Sequence, residues 1–237
     1  MTNYFEKVDS CITDACAFLE IERSEFFTLA RRWDSYVHQF TSFDEPIDFY
    51  KSWQGDVGKS NLCANIVDQF SRFEVASVLD HLCSNIRKDT PLAFADVSCG
   101  TAALSFDCSK LYGRAHLTDL PNLSQDFIAF RCKRHGLTHV AGGGLESITS
   151  PVQVMVSVDV LEHVRESSAF FRLMDERLSA GGLMLLRIPW YSVAPHPEHL
   201  PEAEANWKIR EGGEETIRTR YKLIHPIQYG GVYQKVT

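Results

Sequence analysis

The sequence predicts an α/β fold in which a doubly wound parallel sheet follows a helical N-terminal region. Three observations predict it. Apolar residues recur at helical spacing through residues 1–88, and short apolar runs alternate with helical patterns from residue 91 onward. The first of these later runs ends in an acid that small residues follow at once. Because repeated βα units with short connections imply a parallel sheet covered on both faces by helices, we predict two domains, 1–88 and 89–237.

The composition is typical of a globular protein in water, with 44% hydrophobic and 23% charged residues among 237. The formal net charge of -7 argues against a surface that neutralises phosphates, so we expect no nucleic-acid partner. There is neither an apolar run of membrane-spanning length nor a cationic-then-apolar leader, so we expect no membrane partner. Seven cysteines without a CxxC pair are typical of thiols in a reducing compartment. We therefore expect a cytoplasmic protein.

The N-terminal region contains three stretches with apolar residues at helical spacing. The first two lie near residues 5–19 and 24–40, and a third, long helix is predicted to begin at Ser60. The preceding letters GDVGKS, residues 55–60, are similar to a phosphate-binding loop. However, Trp53 stands where that motif needs glycine, and no buried strand precedes it. We interpret the segment as an inter-helix turn with Ser60 as the N-cap.

The same region is rich in aromatic residues, for which two roles are open. Most of the rings are expected to pack in a core between helices. A minority are expected to line a pocket, because added N-terminal helices often serve as a lid over a ligand crevice. We therefore predict a helical cap over the second domain. The cap is also a candidate surface for a homodimer.

In the second domain, strands and helices are predicted in alternation. The strands are expected near residues 91–97, 114–118, 137–140, 152–158 and 183–188, and the helices near 101–112, 122–135 and 162–180. A further helix near 201–211 and two strands near 216–224 and 232–236 are expected to follow. The mainly apolar fourth strand, VQVMVSV, suits burial on both faces of a parallel sheet.

The segment PLAFADVSCGTAA, residues 91–103, predicts a cofactor site. A short apolar run ends in Asp96, and Ser98 and Gly100 belong to the small residues that follow. A strand that ends in a carboxylate, turns tightly and opens a helix is a nucleotide-cofactor entrance, because the turn lets backbone N–H groups approach the ligand. Asp119 lies 23 residues after Asp96 at the end of the second strand. That spacing suits a carboxylate on ribose hydroxyls, and a helix cap is its alternative role.

The segment VQVMVSVDVLEHV, residues 152–164, resembles the fourth-strand motif of class I S-adenosylmethionine-dependent methyltransferases of the small-molecule type. The first motif is similar to that family's Asp/Glu-x-Gly-x-Gly-x-Gly turn, with Ser98 and Ala102 in place of two glycines. The matching motifs cover residues 92–189. This resemblance implies a Rossmann-like class I methyltransferase fold and S-adenosylmethionine as the cofactor. It also implies an enzyme of small-molecule biosynthesis that transfers a methyl group by in-line displacement.

The resemblance further implies roles for residues after the fourth strand. Asp159 and Val160 are expected beside the cofactor, and Leu120 belongs to the same predicted cofactor site. Glu162 and His163 are expected to begin the next helix near the reaction centre. His163 then has two alternative roles, as a catalytic residue or as a structural histidine bonded to a neighbouring carbonyl.

One departure from the family concerns the adenine. Members usually carry an acid after the third strand that reaches the adenine amino group, whereas VAGGGLE, residues 140–146, offers glycine at that position. Two alternatives follow for this chain. Backbone groups from Gly143 through Gly144 to Leu145 hold the adenine, or Glu146 does so from a shifted turn.

Two further histidines, His196 and His199, follow the fifth strand. Loops beyond the carboxyl ends of parallel strands face the ligand crevice. These two residues are therefore candidates, together with His163, for an acceptor-binding group or a general base, which is needed only if the acceptor is a hydroxyl. Histidines beside Glu198 also suggest a metal site. Because the adjacent prolines preclude a regular helix and no cysteine is near, we predict no metal there.

Three other functions compete with methyl transfer. An enzyme of the same cofactor could cyclise the aminobutyrate chain to azetidine-2-carboxylate and release methylthioadenosine, and the altered glycines favour this alternative. A non-catalytic binding protein is the second. An NAD-dependent oxidoreductase is the third, but an acid directly before the glycine turn does not fit the spacing of G-x-G-x-x-G.

Overall fold

A computed structural model describes residues 4–37, 46–52, 54–85 and 92–236. The predicted domain boundary at residues 88 and 89 lies outside the described residues, as do Trp53 and the last three residues of the second predicted helix. Within the described ranges, none of the helices has both the length and the apolar character needed to cross a membrane.

Five helices make up the described part of the N-terminal cap: α1 (Tyr4–Leu19), α2 (Arg23–Val37), α3 (Pro46–Lys51), α4 (Gly55–Ser71) and α5 (Phe73–Asn85). Apolar residues that return every three or four positions give α1 one buried face. That face, which includes Ile12 and Ala15, packs with residues of α2 and α4 in a single apolar cluster. The helical character predicted for this region is confirmed over its described residues.

The third predicted helix differs from the structure. It consists of two helices, and α4 begins at Gly55 with Gln54 in an extended N-cap conformation (φ −124°, ψ 163°). The prediction of Ser60 as an N-cap is wrong, because Ser60 lies inside α4 and is fully buried. Gly58 is buried on the same helix. Small residues at these positions suit a helix that packs closely along α2.

Among the described residues, seven strands form one sheet in the order β3-β2-β1-β4-β5-β7-β6. They are β1 (Ala93–Val97), β2 (Arg114–Thr118), β3 (Val140–Ala141), β4 (Val152–Val158), β5 (Leu178–Arg187), β6 (Tyr221–Ile227) and β7 (Gly230–Lys235). The first five strands are parallel, and β7 runs antiparallel to both β5 and β6. The strand order reverses between β1 and β4, which is where doubly wound sheets bind ligands. The predicted doubly wound α/β fold with an N-terminal helical cap is confirmed.

Five helices accompany the sheet in the described part of the chain: α6 (Phe106–Ser109), α7 (Leu123–Arg134), α8 (Ser167–Arg177), α9 (Pro201–Trp207) and α10 (Gly213–Arg220). Apolar clusters lie on both faces of the sheet. The strands predicted at 114–118 and 152–158 coincide with β2 and β4. The helix predicted near 201–211 is α9, which ends at Trp207. The strand predicted near 216–224 is wrong in its first half, because α10 covers Gly213–Arg220 and β6 begins only at Tyr221. The last predicted strand, near 232–236, corresponds to β7.

Four predicted elements are corrected. The helix predicted at 101–112 is only the single turn α6, because the chain before it forms a loop with left-handed residues. The helix predicted at 162–180 is a 3-10 turn, Leu161–His163, followed by α8. β5 begins earlier than predicted, because Leu178 already pairs with Val152 and a register shift follows before the ladder continues. β3 is shorter and later than the predicted strand at 137–140.

A buried ion cluster joins the cap to the sheet domain. Asp14 of α1 is 2% exposed. Its carboxylate contacts the Nε atoms of Arg131 and Arg134 at 3.1 Å each, and His135 Nε2 at 2.9 Å. These partners lie in and just after α7, so the cap is fixed to this domain by charge as well as by apolar packing.

Candidate functional site

A cavity of about 1380 Å³ lies between the cap and the carboxyl ends of β1, β2 and β4. The structure brings ten of the predicted site residues to its walls: Asp96, Ser98, Gly100, Asp119, Leu120, Asp159, Val160, His163, His196 and His199. Gly144 and Leu145 are not among its lining residues. The cap contributes aromatic rings to the same walls, from Phe27, Trp33 and Tyr50.

The loop after β1 has the backbone conformation of a glycine-rich turn although it contains only one glycine. Ser98, Gly100 and Ala102 all have positive φ angles, of 54°, 57° and 50°. L-residues adopt this region at a cost of about 1–2 kcal/mol, so surrounding contacts must maintain it. At Gly100 the absence of a side chain is also a steric requirement, since a Cβ built there would lie 2.6 Å from Oδ1 of Asn65.

Two amide side chains of α4, which were not predicted from the sequence, support this loop. Asn65 Oδ1 accepts hydrogen bonds from the backbone N–H of Thr101 (3.0 Å) and from its hydroxyl (2.9 Å). Gln69 donates to the Cys99 carbonyl (3.0 Å) and accepts from the Leu104 N–H (3.2 Å). Because no regular helix follows β1 directly, these bonds satisfy the backbone N–H groups of Thr101 and Leu104, whereas the Cys99 carbonyl also accepts from the Ala102 N–H at 2.8 Å. Two amides four residues apart on one helix face were the available sequence signal.

Asp119 sits at the end of β2 beside this loop. Its carboxylate accepts hydrogen bonds from the backbone N–H groups of Gly100 and Leu120. Burial raises the pKa of Asp119 to about 6, although these two donors lower it. Each carboxylate oxygen has a second lone pair, so Asp119 retains acceptor capacity for a ligand hydroxyl.

Asp96, at the end of β1, is 7% exposed and lies on the same wall. Burial raises its pKa to about 7, and the nearby charge of Asp119 contributes in the same direction. Two acids with raised pKa values thus share one part of the cavity. Such a pair is unfavourable for stability when both are ionised, and perturbed acids of this kind are concentrated at functional sites.

Asp159 follows β4 in a left-handed conformation (φ 57°). Its carboxylate pairs with Arg187 at the end of β5 and with Arg72 Nη2 at 2.9 Å. Arg72 lies between α4 and α5, so the cap neutralises an acid of the sheet domain here. Burial raises the pKa of Asp159, whereas the two arginines lower it.

Glu162 is the most deeply buried acid near the cavity, with 0% exposure. Neither of its carboxylate oxygens has a hydrogen-bond partner among the described residues. Burial raises the pKa of Glu162 well above its usual range, and the charge of Asp159 contributes further. Buried polar groups of proteins are normally hydrogen-bonded, so this carboxyl needs an explanation.

His163 and His199 lie next to Glu162, with ring centroids 5.1 Å apart. Their Nδ1 atoms contact backbone carbonyls, that of Glu198 for His163 (2.8 Å) and that of Ala194 for His199 (2.6 Å). A carbonyl only accepts, so each Nδ1 carries the proton and each Nε2 presents a lone pair. Burial lowers the pKa of His163 to about 3 and lowers that of His199 as well. Both rings are therefore neutral at physiological pH.

His196 and the turn after β3 were also predicted to belong to the site, and their positions differ from those of the residues above. His196 is on the rim, with 44% of its side chain exposed, and its ring centroid is 5.3 Å from that of His199. Leu145 is buried in the apolar cluster on one face of the sheet. The turn that contains Gly143 and Gly144 is near the site, because the Gly143 carbonyl accepts from the Asp119 N–H at 2.9 Å. The adenine role of this turn stays a prediction.

Comparison with known proteins gave matches only among solved structures. No family model matches the sequence, and no curated protein matches it. The structure is similar to a "putative caffeoyl-CoA O-methyltransferase" from Staphylococcus aureus, with a TM-score of 0.51 and 11% identity over 68% of this chain and 83% of that one. It is also similar to an O-methyltransferase family protein from Burkholderia thailandensis, with a TM-score of 0.50 and 12% identity over 76% and 60%.

These likenesses show the fold, which is that of the class I methyltransferases. Other matches are shorter: the chain spans 43% of the [4+2]-cyclase SpnF and 50% of an S-adenosylmethionine-dependent methyltransferase from Clostridium acetobutylicum. A fold does not fix a substrate, because one fold carries many activities. The function must therefore be argued from the cavity.

Proposed function

We propose that this protein binds S-adenosylmethionine in the cavity and transfers its methyl group to a small-molecule acceptor. The observation that carries the proposal is the loop after β1. Its three left-handed residues and the Gly100 N–H bonded to Asp119 make a turn in which the backbone can approach a ligand closely. The class I methyltransferase fold supports the same cofactor.

The residues present fit this cofactor. Asp119 has acceptor capacity left for ribose hydroxyls, and Asp96 offers a buried carboxyl for the amino group of the methionine end. Gly100 lines the cavity and has no side chain to cover its backbone there. When bound, S-adenosylmethionine supplies a methyl group already activated by its sulfonium. The task of the chain is then mainly to orient the two reactants and exclude water.

The size and the lining of the cavity support a small acceptor. Its volume of about 1380 Å³ exceeds the roughly 300–1000 Å³ of a typical single-ligand pocket, which leaves space for a second molecule beside the cofactor. Phe27, Trp33 and Tyr50 from the cap give that space an apolar, aromatic wall. We propose an acceptor with a flat apolar body rather than a nucleic acid.

The cyclase alternative loses part of its support. It depended on Ser98 and Ala102, which replace two glycines of the cofactor turn. Both residues nevertheless have the left-handed backbone that a glycine would adopt there. A turn with this backbone shape supports an ordinary cofactor pose and hence methyl transfer.

The first test is binding. Calorimetric titration of the whole chain should detect S-adenosylmethionine and its demethylated product but not NAD. Asp119→Ala should weaken binding by about 1.5–3 kcal/mol, the cost of losing charged hydrogen bonds. Asp107→Ala is a control, since Asp107 pairs with Lys110 outside the cavity. Binding of NAD alone would contradict the proposal, and unchanged affinity would remove Asp119 from the ribose site.

The second test separates the two reactions. Pure protein is incubated with S-adenosylmethionine and candidate aromatic acceptors, and products are resolved by mass against an enzyme-free control. Methyl transfer gives S-adenosylhomocysteine only when an acceptor is present. Cyclisation gives methylthioadenosine from the cofactor alone, and its formation above the control would favour the alternative.

A further inference from the structure

We infer that Glu162, His163 and His199 form a binding site for a divalent transition-metal ion beside the cavity. The sequence suggests a metal only at His196, His199 and their neighbouring acids, and the adjacent prolines led us to predict none there. The fold gives His199 other partners than its neighbours in sequence. It brings the loop after β5 against the 3-10 turn after β4, so His199 meets two residues that are far away in sequence.

The geometry of the three side chains is that of a ligand set. One ligand atom from each lies within 4.8 Å of the other two, and Glu162 Oε1 is 3.8 Å from His163 Nε2. Metal–ligand bonds of about 2.0–2.2 Å place ligand atoms about 3–3.5 Å apart. Side-chain adjustments of about an ångström therefore close the set on one ion.

Both imidazoles are already oriented as metal ligands. Their Nδ1 atoms donate to the carbonyls of Glu198 and Ala194, at 2.8 Å and 2.6 Å. A second hydrogen bond of this kind fixes the tautomer and ring angle of most metal-binding histidines, and it leaves the Nε2 lone pair for the ion. The two carbonyls belong to the same loop, so its fold sets both ring orientations together.

The burial of Glu162 is an independent observation that points to a bound cation. The chain buries it completely and offers it no hydrogen bond among the described residues. The nearby guanidinium groups of Arg72 and Arg187 contact Asp159 instead. An uncompensated carboxylate in the interior is unfavourable, and a bound cation removes that penalty.

The ligand types select the ion. Two imidazoles and one carboxylate suit Zn²⁺, Mn²⁺ or Fe²⁺, whereas Mg²⁺ and Ca²⁺ prefer oxygen ligands. Three protein ligands leave at least one coordination position open, as in catalytic rather than structural sites. Because His163 and His199 line the cavity, that position is accessible to an acceptor. If the proposed function holds, the ion would bind an acceptor oxygen and favour its ionised form.

The test measures metal directly, without cofactor or turnover. The whole chain is stripped with a chelator and titrated with Zn²⁺ and Mn²⁺ by calorimetry, and with Co²⁺ by visible absorption. We expect one ion per chain and a rise of the unfolding temperature with Zn²⁺. Glu162→Gln and His199→Ala should each lower the affinity about tenfold to a hundredfold. His225→Ala, in the exposed part of β6, should leave it unchanged.

Folding and function are controlled separately. Unfolding temperatures of the variants without metal show whether they fold, and Glu162→Gln should fold because it keeps the volume and removes a buried charge. Absence of metal binding, or binding that both variants retain, would overturn the inference. Metal binding without affinity for S-adenosylmethionine would refute the proposed function and leave the metal site intact.

Discussion

The two walls of the cavity are built from different groups. The sheet wall presents acids at the ends of β1, β2 and β4, and two of these acids have raised pKa values near neutrality. The cap wall presents aromatic rings and three polar side chains, Asn65, Gln69 and Arg72, which bond to the loops and the acid of the other wall. The cap therefore completes the walls of this cavity, since the sheet domain alone would leave the loop after β1 and Asp159 without these partners.

The largest effect on stability should come from removing the buried ion cluster around Asp14, which joins the cap to the sheet domain. Asp14→Ala leaves Arg131 buried without its carboxylate, which typically costs about 3–5 kcal/mol. We expect the free energy of unfolding in urea to fall by that amount. Asp9→Ala, on the same helix, removes an exposed contact with Arg23 and should cost less than about 1 kcal/mol. Equal effects of the two variants would show that Asp14 does not fix the cap.

The next largest effect is a dependence of stability on pH, which arises from Asp96 in the sheet wall. Burial raises the pKa of Asp96 from 3.8 to about 7, so the folded state binds the proton more tightly than the unfolded state. The resulting stability is fully present below pH 4 and is lost as the pH rises to 7. At about 1.4 kcal/mol per pH unit, about 2–3 kcal/mol disappears between pH 5 and pH 7.

Asp96→Asn removes this dependence. We expect the variant to be more stable than the wild type at pH 8 and the advantage to shrink by about 2–3 kcal/mol at pH 5. Urea unfolding at the two pH values measures it. The same variant should bind S-adenosylmethionine less tightly if Asp96 contacts the cofactor. An advantage that does not change with pH would mean that Asp96 is ionised at both values.

A smaller effect should follow from removing one cap amide. Gln69→Leu leaves the Cys99 carbonyl and the Leu104 N–H without their side-chain partner, which costs about 1–3 kcal/mol. We expect this loss in unfolding free energy and, because the loop belongs to the proposed cofactor turn, a weaker affinity for S-adenosylmethionine. Gln234→Leu, whose amide makes an exposed bond to Gly181, should change neither. Unaltered cofactor affinity in Gln69→Leu would separate the cap from the cofactor turn.

The same contrast explains what the sequence could predict. Motifs at strand ends are local, so Asp96, Asp119 and Asp159 could be placed on one edge of the sheet from spacing and strand order. The roles of Asn65 and Gln69 could not be predicted in this way, because both look like ordinary helix residues until the tertiary fold brings them against the loop. The pairing of His199 with Glu162 also depends on how two distant loops meet. The homodimer, the domain boundary and the adenine contacts stay predictions.

The conformation of the loop after β1 could not be predicted from the sequence either, for a physical reason. Local sequence predicts a helix after β1, but Ser98 and Ala102 are held left-handed by contacts that lie elsewhere in the chain. Tertiary hydrogen bonds from α4 outweigh the intrinsic preference, which is at most a few kcal/mol. Such overrides are expected at functional sites.

The smallest expected change in stability tests directly whether tertiary contacts hold Ser98 in its left-handed conformation. Ser98→Gly should relieve the left-handed strain of about 1–2 kcal/mol, but the added freedom of the unfolded chain offsets about 0.5–1 kcal/mol of it. The net gain should therefore be below about 1 kcal/mol in urea unfolding. Glu20→Gly is the matched control in the cap, because Glu20 has a similar φ of 56° just after α1. Both variants should gain stability, but only Ser98→Gly, whose residue lines the cavity, should also change the affinity for S-adenosylmethionine. A loss of stability in Ser98→Gly alone would mean that the serine side chain itself, rather than the backbone shape, stabilises the turn.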